Sequence, residues 1–193
     1  MAVLERKIIH DRTTLCSLVP YPQFILPRHK HVEYEIMLFT HGSGKQFVGE
    51  GVADYQEGDV ALIGSNVPHL HLCNTKLNPI ASFDVSAGEA LQFHPTIFPV
   101  SMKELPDYCS IYELLQKSQY GIRFYEKELY SKLKQLFQEI EKQEHTQRLI
   151  CLFQILEQLC LCKKTKTLSE TAYNSSNLLI EANEPVSKVC LLY

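Results

Sequence analysis

The chain has 193 residues, 45% of them hydrophobic and 21% charged, with a formal net charge of -3. A polypeptide of this size buries a proper core, roughly 70% of its unfolded surface at about 150 residues, and the composition is that of a globular protein rather than a disordered one. The slight acidic balance argues against a chain that itself grips a phosphate backbone, and no stretch reaches the roughly 18 apolar residues of a membrane span.

The opening residues carry Glu5-Arg-Lys7 and Asp11-Arg12, which interrupt any apolar signal-peptide region. The seven cysteines, Cys16, Cys73, Cys109, Cys151, Cys160, Cys162 and Cys190, have no framework spacing and read as reduced thiols of a cytoplasmic protein. Cys160 and Cys162 stand two apart at helical spacing, where side chains face different ways, so they read as packed or partly exposed thiols rather than a metal pair.

In chain order, Leu15 to Val19 reads as a short leading strand, followed by a proline-bounded approach through Pro20, Pro22 and Pro27. The pattern is then all-β: strands near 31 to 40, 45 to 49, 52 to 56, 60 to 63, 69 to 73 and 79 to 85, separated by turns at Gly42-Ser-Gly44, Glu50-Gly51, Glu57-Gly58 and Gly64-Ser-Asn66. Turns at intervals of about eight to twelve residues predict a small sandwich or barrel.

Two blocks in this region carry chemistry. In a strand His29, His31, Glu33 and Glu35 share one face, and the run Ile36-Met-Leu-Phe39 that follows is apolar on both, so the polar face points into a cavity. In the second block, Gly58 to His71, His69 and His71 again share a face, with Pro68 setting an extended entry. Side by side in a closed antiparallel barrel, His29, His31, Glu35 and His69 form three imidazoles and a carboxylate able to converge, a ligand set for Zn, Fe, Mn, Ni or Cu. The same residues also suit a polar pocket for an organic molecule, or an interior whose members satisfy one another and water. Glu33 and His71 would orient hydroxyls at its mouth, and Tyr34, Phe39, Phe47, Tyr55 and Phe83 would supply an apolar wall. His10, His41, His94 and His145 read as surface or loop residues.

Beyond Gly88 the chain turns helical. Ser101-x-x-Glu104 reads as a capping box, with a helix from Pro106 to about Ser118 and Gly121 just past its end. Leu129, Leu133, Leu136 and Ile140, and then Leu149, Leu152, Leu156 and Leu159, mark two amphipathic helices joined by a short polar connection. Lys163-Lys164-Thr-Lys166 reads as a solvated helix end. Residues 169 to 183 read as a polar linker, and Asn183-Glu-Pro185 as the start of a helix whose stripe of Val186, Val189 and Leu192 runs to Tyr193, a pattern that predicts continuation of the natural polypeptide.

His29-x-His31-x3-Glu35-x6-Gly42 resembles the first motif of the cupins, and Gly58-x5-Gly64-x4-His69 followed by Asn74 resembles the second, with Gly64 and Asn66 where proline and glycine are more usual. His31-Val-Glu-Tyr-Glu35, Gly42-Ser-Gly44, Val48-Gly-Glu50, Gly58 to Gly64 and Pro68-His69 resemble the N-terminal sensor domain of AraC/XylS-type transcription regulators. Glu104-Leu-Pro106, Leu114-Leu115, Gly121 to Phe124 and Arg148 to Leu152 are similar to the helical part of that family.

The resemblance implies an all-β cupin jelly-roll barrel over residues 1–98 and an α-helical dimerisation region over 99–168. Residues 169–193 would be a linker and first helix leading to a DNA-binding domain not included here. It further implies a small-molecule effector, often a sugar, a homodimer formed through the helices, contact with DNA only through the missing domain, and no enzymatic activity. The metal expectation stays open beside it: a divalent transition metal such as Zn, Fe, Mn or Ni on His29, His31, Glu35 and His69. A stand-alone metal-dependent cupin enzyme, a dioxygenase or isomerase, is the competing expectation.

Overall fold

The computed structural model describes residues 3–6, 14–74 and 87–173. The strands are β1 (Leu4–Glu5), β2 (Cys16–Tyr21), β3 (His29–Lys30), β4 (Tyr34–His41), β5 (Ser43–Val48), β6 (Gly51–Gln56), β7 (Val60–Ile63), β8 (His69–Cys73), β9 (Ala87–Phe93), β10 (Ile122–Phe124) and β11 (Thr165–Thr167); the helices are α1 (Cys109–Lys117), α2 (Lys127–Lys142) and α3 (His145–Leu161). One sheet has the order β1-β3-β8-β5-β6 and the other β11-β10-β7-β4-β9-β2. Among the described residues neither sheet closes on itself, so the observed form is a pair of open sheets where the sequence predicts a closed barrel.

The apolar run of β4 is explained by its place at the centre of the second sheet, between β7 and β9. Met37 and Phe39 join Val48 and Tyr55 of the first sheet in an inner core, while Ile36 and Leu38 join the helices in an outer one. Both faces of the strand are therefore dry, and alternation disappears from its sequence. At Gly42, whose φ is 75°, the chain leaves one sheet for the other, a corner that needs the left-handed region.

The outer core is built from the helices. Leu129, Leu133, Phe137 and Ile140 of α2 and Leu152, Ile155, Leu156 and Leu159 of α3 are buried against β4, β7, β9 and β10. Burying side chains of this size stabilises the fold by about 1.5–3 kcal/mol each. Of the predicted stripe, Leu136 is only partly buried and Leu149 is exposed, with Phe137 and Ile155 in the packed positions instead.

Several expectations are corrected. Ser101 and Glu104 form no capping box: they lie in a 3-10 turn, Val100–Glu104, entered from Pro99 with no side-chain cap. The Lys163–Lys166 run is not a helix end, because α3 stops at Leu161 and Thr165–Thr167 is strand β11, paired with β10. The segment read as helical thus contributes β10, β11 and most of β9 to the second sheet. Residues 169 to 173 are tied down rather than linker-like, with the Ser169 N–H donating to the Tyr120 carbonyl at 2.9 Å and that of Tyr173 to Gln119 at 3.1 Å. The strand expected near 79 to 85 and the helix expected from Asn183 lie outside the described residues.

Candidate functional site

The inner faces of the two sheets bring the histidines together. β3 and β8 pair His29 directly with His69, and β4 places Glu35 opposite Ile63 on β7 and Gln92 on β9. His31 lies in the short connection between β3 and β4. The loop after β7 closes on that connection: the Asn66 N–H donates to the His31 carbonyl at 2.7 Å, and the Ser65 hydroxyl donates to the Val32 carbonyl. Asn66 adopts φ 59°, a left-handed conformation that asparagine tolerates, which accounts for its standing where a glycine is more usual.

The ring centroids of His29 and His69 are 4.3 Å apart, those of His31 and His69 5.0 Å, and those of His29 and His31 5.7 Å. All three residues are buried, and one ring nitrogen from each falls within 4.8 Å of the other two. Each ring is held from behind. His29 Nδ1 donates to the Pro27 carbonyl at 2.9 Å, His31 Nδ1 to the Glu33 carbonyl at 3.1 Å, and His69 Nδ1 to the Val67 carbonyl at 2.9 Å. A neutral imidazole that donates from Nδ1 has its lone pair on Nε2. None of the three Nε2 atoms has a hydrogen-bond partner among the described residues. Three buried lone pairs aimed at one another, each ring oriented by a backbone carbonyl, is the arrangement a metal ion takes up.

Glu35 flanks this group, with its carboxylate 3.3 Å from His31 Nε2 and 3.7 Å from His69 Nε2. It is fixed by Gln92, whose amide donates to it at 2.7 Å; the same amide is 3.3 Å from the Tyr21 hydroxyl, which in turn accepts from Arg6 at 3.0 Å. Burial pushes the Glu35 carboxyl up, but the positive charge that His69 and His31 carry when protonated outweighs it and sets the group below the usual carboxylate range. Burial has the opposite effect on the imidazoles. It lowers the His69 pKa to about 3 and that of His71 to about 4 against the pull of Glu35, and it lowers His29 as well. Burial thus favours the neutral form of His29 and His69, the form in which an imidazole binds a metal.

The predicted site residues do not all converge. Glu33 is buried but stands behind His31, 3.5 Å from its Nδ1, on the side away from the centre. His71 faces inward one row further along β8, boxed by Phe24 and Phe39 at 5.2 Å and Tyr55 at 6.2 Å. Of the predicted aromatic wall, Phe39 and Tyr55 are in place and stack at 4.2 Å. Tyr34 belongs instead to the outer core, where it stacks on Phe93. Phe83 lies outside the described residues. Sequence reasoning missed Gln92, Tyr21 and Phe24. Tyr21 and Phe24, aromatics in the proline-bounded approach, left a trace that could have been followed, and Gln92 left none.

The cavity bounded by Tyr21, Phe24, His29, Glu35, Met37 and His71 has a volume of about 20 Å³. A larger groove of about 450 Å³ lies elsewhere, between β2, β9 and the α2–α3 turn, lined by Cys16, Glu144 and Arg148. It is open, and none of the convergent imidazoles reaches it. His41 and His145 are exposed, as the sequence predicts.

Residues 14–71 match the family model of the AraC-like ligand binding domain. The likeness to AraC-type ligand-binding domains is thus shown for the stretch that contains His29, His31, Glu33, Glu35, His69 and His71. No curated protein matches significantly. Among solved structures, the chain is similar to ToxT from Vibrio cholerae, with TM-score 0.42 and 10% identity over 74% of this chain and 53% of that one. It is also similar to the AraC-like transcriptional activator CuxR, with TM-score 0.43 and 11% identity over 76% and 45%. Oxalate decarboxylase from Bacillus subtilis is similar with TM-score 0.33 and 21% identity over 46% and 23%. The chain therefore spans about half the length of ToxT and about a quarter of the decarboxylase. No helix among the described residues is long and apolar enough to cross a membrane.

Proposed function

We propose that this chain is the small-molecule-sensing module of an AraC-type transcription regulator, with the space between the sheets as its effector site and a divalent transition metal held there by His29, His31 and His69. The observation that carries this reading is the convergence of three buried, carbonyl-oriented imidazoles with orphaned Nε2 atoms inside the stretch that matches the ligand-binding domain family. Glu35, steadied by Gln92, would complete the ligand set, and a bound ion would supply a Lewis-acidic position for an oxygen of the effector. In this reading the strands within residues 1–98 form a cupin jelly roll, whose second sheet β10 and β11 extend. Residues 99–168 serve dimerisation, supported by exposed Leu149 and Ile150 on α3, and DNA is reached through helix-turn-helix units that follow residues 169–193. The cavity is an order of magnitude smaller than pockets that enclose organic ligands, about 300–1,000 Å³. A sugar-sized effector would have to part the sheets, and the geometry favours a smaller one.

A metal-dependent cupin enzyme is the second reading, because the same three imidazoles and carboxylate serve catalytic metals. The test is elemental analysis of protein purified without added metal, followed by titration with Zn²⁺ and by screens for binding and turnover. Metal uptake and ligand binding without turnover support the sensor, and turnover supports the enzyme. If His31→Ala and His69→Ala leave both metal content and ligand affinity unchanged, the site is not where we place it.

A further inference from the structure

The inner face of the first sheet continues beyond the imidazole cluster. Residues directly opposite on neighbouring strands share a face, and β5 and β8 pair Val48 with His69, Gln46 with His71 and Gly44 with Cys73. Gln46 and His71 therefore stand side by side, one row from His69, on the face turned toward the second sheet. Gln46 is 1% exposed, and neither its amide nitrogen nor its amide oxygen has a hydrogen-bond partner among the described residues. His71 is 6% exposed and its Nε2 is in the same position. Phe24, Phe39 and Tyr55 wall this row with aromatic rings. Buried polar atoms are almost always paired, and leaving three unmet in such surroundings is costly against a marginal net stability.

The donors and acceptors define what fits. Gln46 offers two N–H donors and one carbonyl acceptor, and neutral His71 offers Nε2 as a donor or an acceptor according to its tautomer. A carboxylate can only accept, would leave the Gln46 carbonyl unmet, and would add a second negative charge close to ionised Glu35. An ammonium can only donate, and would leave the Gln46 N–H groups unmet. A hydroxyl does both.

We propose that Gln46 and His71 form a hydroxyl-binding subsite, which holds a water molecule in the free protein and exchanges it for an alcohol hydroxyl when the effector binds. His71 is one wall of the cavity of about 20 Å³, room for a single water. This deepens the reading of the intersheet space as an effector site, on which it rests, and assigns the group recognised there: uncharged and hydroxyl-bearing.

The experiment uses the full chain, ¹⁵N-labelled, with the Gln46 side-chain amide assigned by its loss in Gln46→Leu. Ethylene glycol is the probe and acetate the charged control. The expected result is a nuclear Overhauser effect from the Gln46 amide protons to a long-lived water. Glycol should abolish that signal along a saturable curve and shift the His71 ring resonances, acetate should do neither, and Gln46→Leu should weaken glycol binding at least tenfold. A Gln46 amide with no bound water and no response to glycol overturns the proposal. So does a water that glycol never displaces, or equal binding of acetate. Gln46→Met is the second variant if Gln46→Leu fails to fold. Zn²⁺ uptake is measured on the same samples: its absence with the glycol response intact sinks the metal reading alone, and the reverse sinks the subsite alone.

Discussion

Gln92 donates to Glu35 at 2.7 Å from the adjacent strand, with the two residues in direct register between β4 and β9. The bond fixes the carboxylate that flanks the three imidazoles. In Gln92→Leu the carboxylate loses that donor while keeping its place in the strand. Zn²⁺ affinity measured by calorimetry should fall about 10- to 100-fold with an unchanged circular dichroism spectrum. Unchanged affinity would show that the Gln92 bond plays no part in presenting Glu35 to the ion.

The buried imidazoles tie stability to pH. His69 and His71 titrate near 3 and 4 in the folded protein but near 6.5 when unfolded. Above pH 6.5 neither state binds the protons and the fold keeps its full stability. As pH falls below 6.5 the unfolded state gains protons that the folded state refuses, and stability declines until the folded values are reached. Between pH 7 and pH 5 the loss should be roughly 2 kcal/mol per imidazole in metal-free protein, read from urea unfolding. His71→Gln should flatten the slope, and a wild-type curve level down to pH 5 would contradict the burial of these rings.

Much of this architecture is legible in the residues. β7 and β8 stand where turn residues and alternation put them, and the two blocks lie side by side, with a ring nitrogen each of His29, His31 and His69 within 4.8 Å of the others. Three kinds of feature are not legible. β10 and β11 are three residues each, too short for any periodicity, and are strands because β7 offers an edge to β10 and β10 one to β11. β9 begins Ala-Gly-Glu, which reads as a boundary, yet Gly88 is required there: a Cβ would lie 2.8 Å from the Leu38 carbonyl. Gln92 is a single polar residue in an apolar stretch, and its meaning comes wholly from a strand 57 positions away.

Gly64 should not accept a side chain. A Cβ there would lie 2.7 Å from the Gln119 amide and 2.8 Å from the Ser118 carbonyl, and the Gly64 N–H donates to that same carbonyl at 2.9 Å. The obstruction is partly backbone, which cannot step aside as a flexible side chain would. Gly64→Ala should cost about 1–3 kcal/mol in chemical denaturation, and a neutral effect would mean that the turn at Ser118 is looser than described.

Two substitutions on the helices separate packing from association. Phe137 is fully buried in the outer core, so Phe137→Ala should destabilise the fold by about 3–5 kcal/mol. Ile150 is 45% exposed on α3, and Ile150→Glu should change monomer stability by less than about 0.5 kcal/mol. If the helical region carries the dimer, sedimentation velocity will show the wild type as a dimer and Ile150→Glu as a monomer. A wild-type monomer, or a variant that stays dimeric, removes α3 from that role.

β10 and β11 pair Ile122 with Thr167 and Phe124 with Thr165, so the chain leaves the sheet for α2 and returns from α3 through adjacent strands. Topologically, the helix pair is an excursion on a closed neck. The neck leaves one natural axis for the pair to turn about, that of the two-stranded stem, and a chain shortened there needs only a tight turn from Phe124 to Thr165 to rejoin its ends.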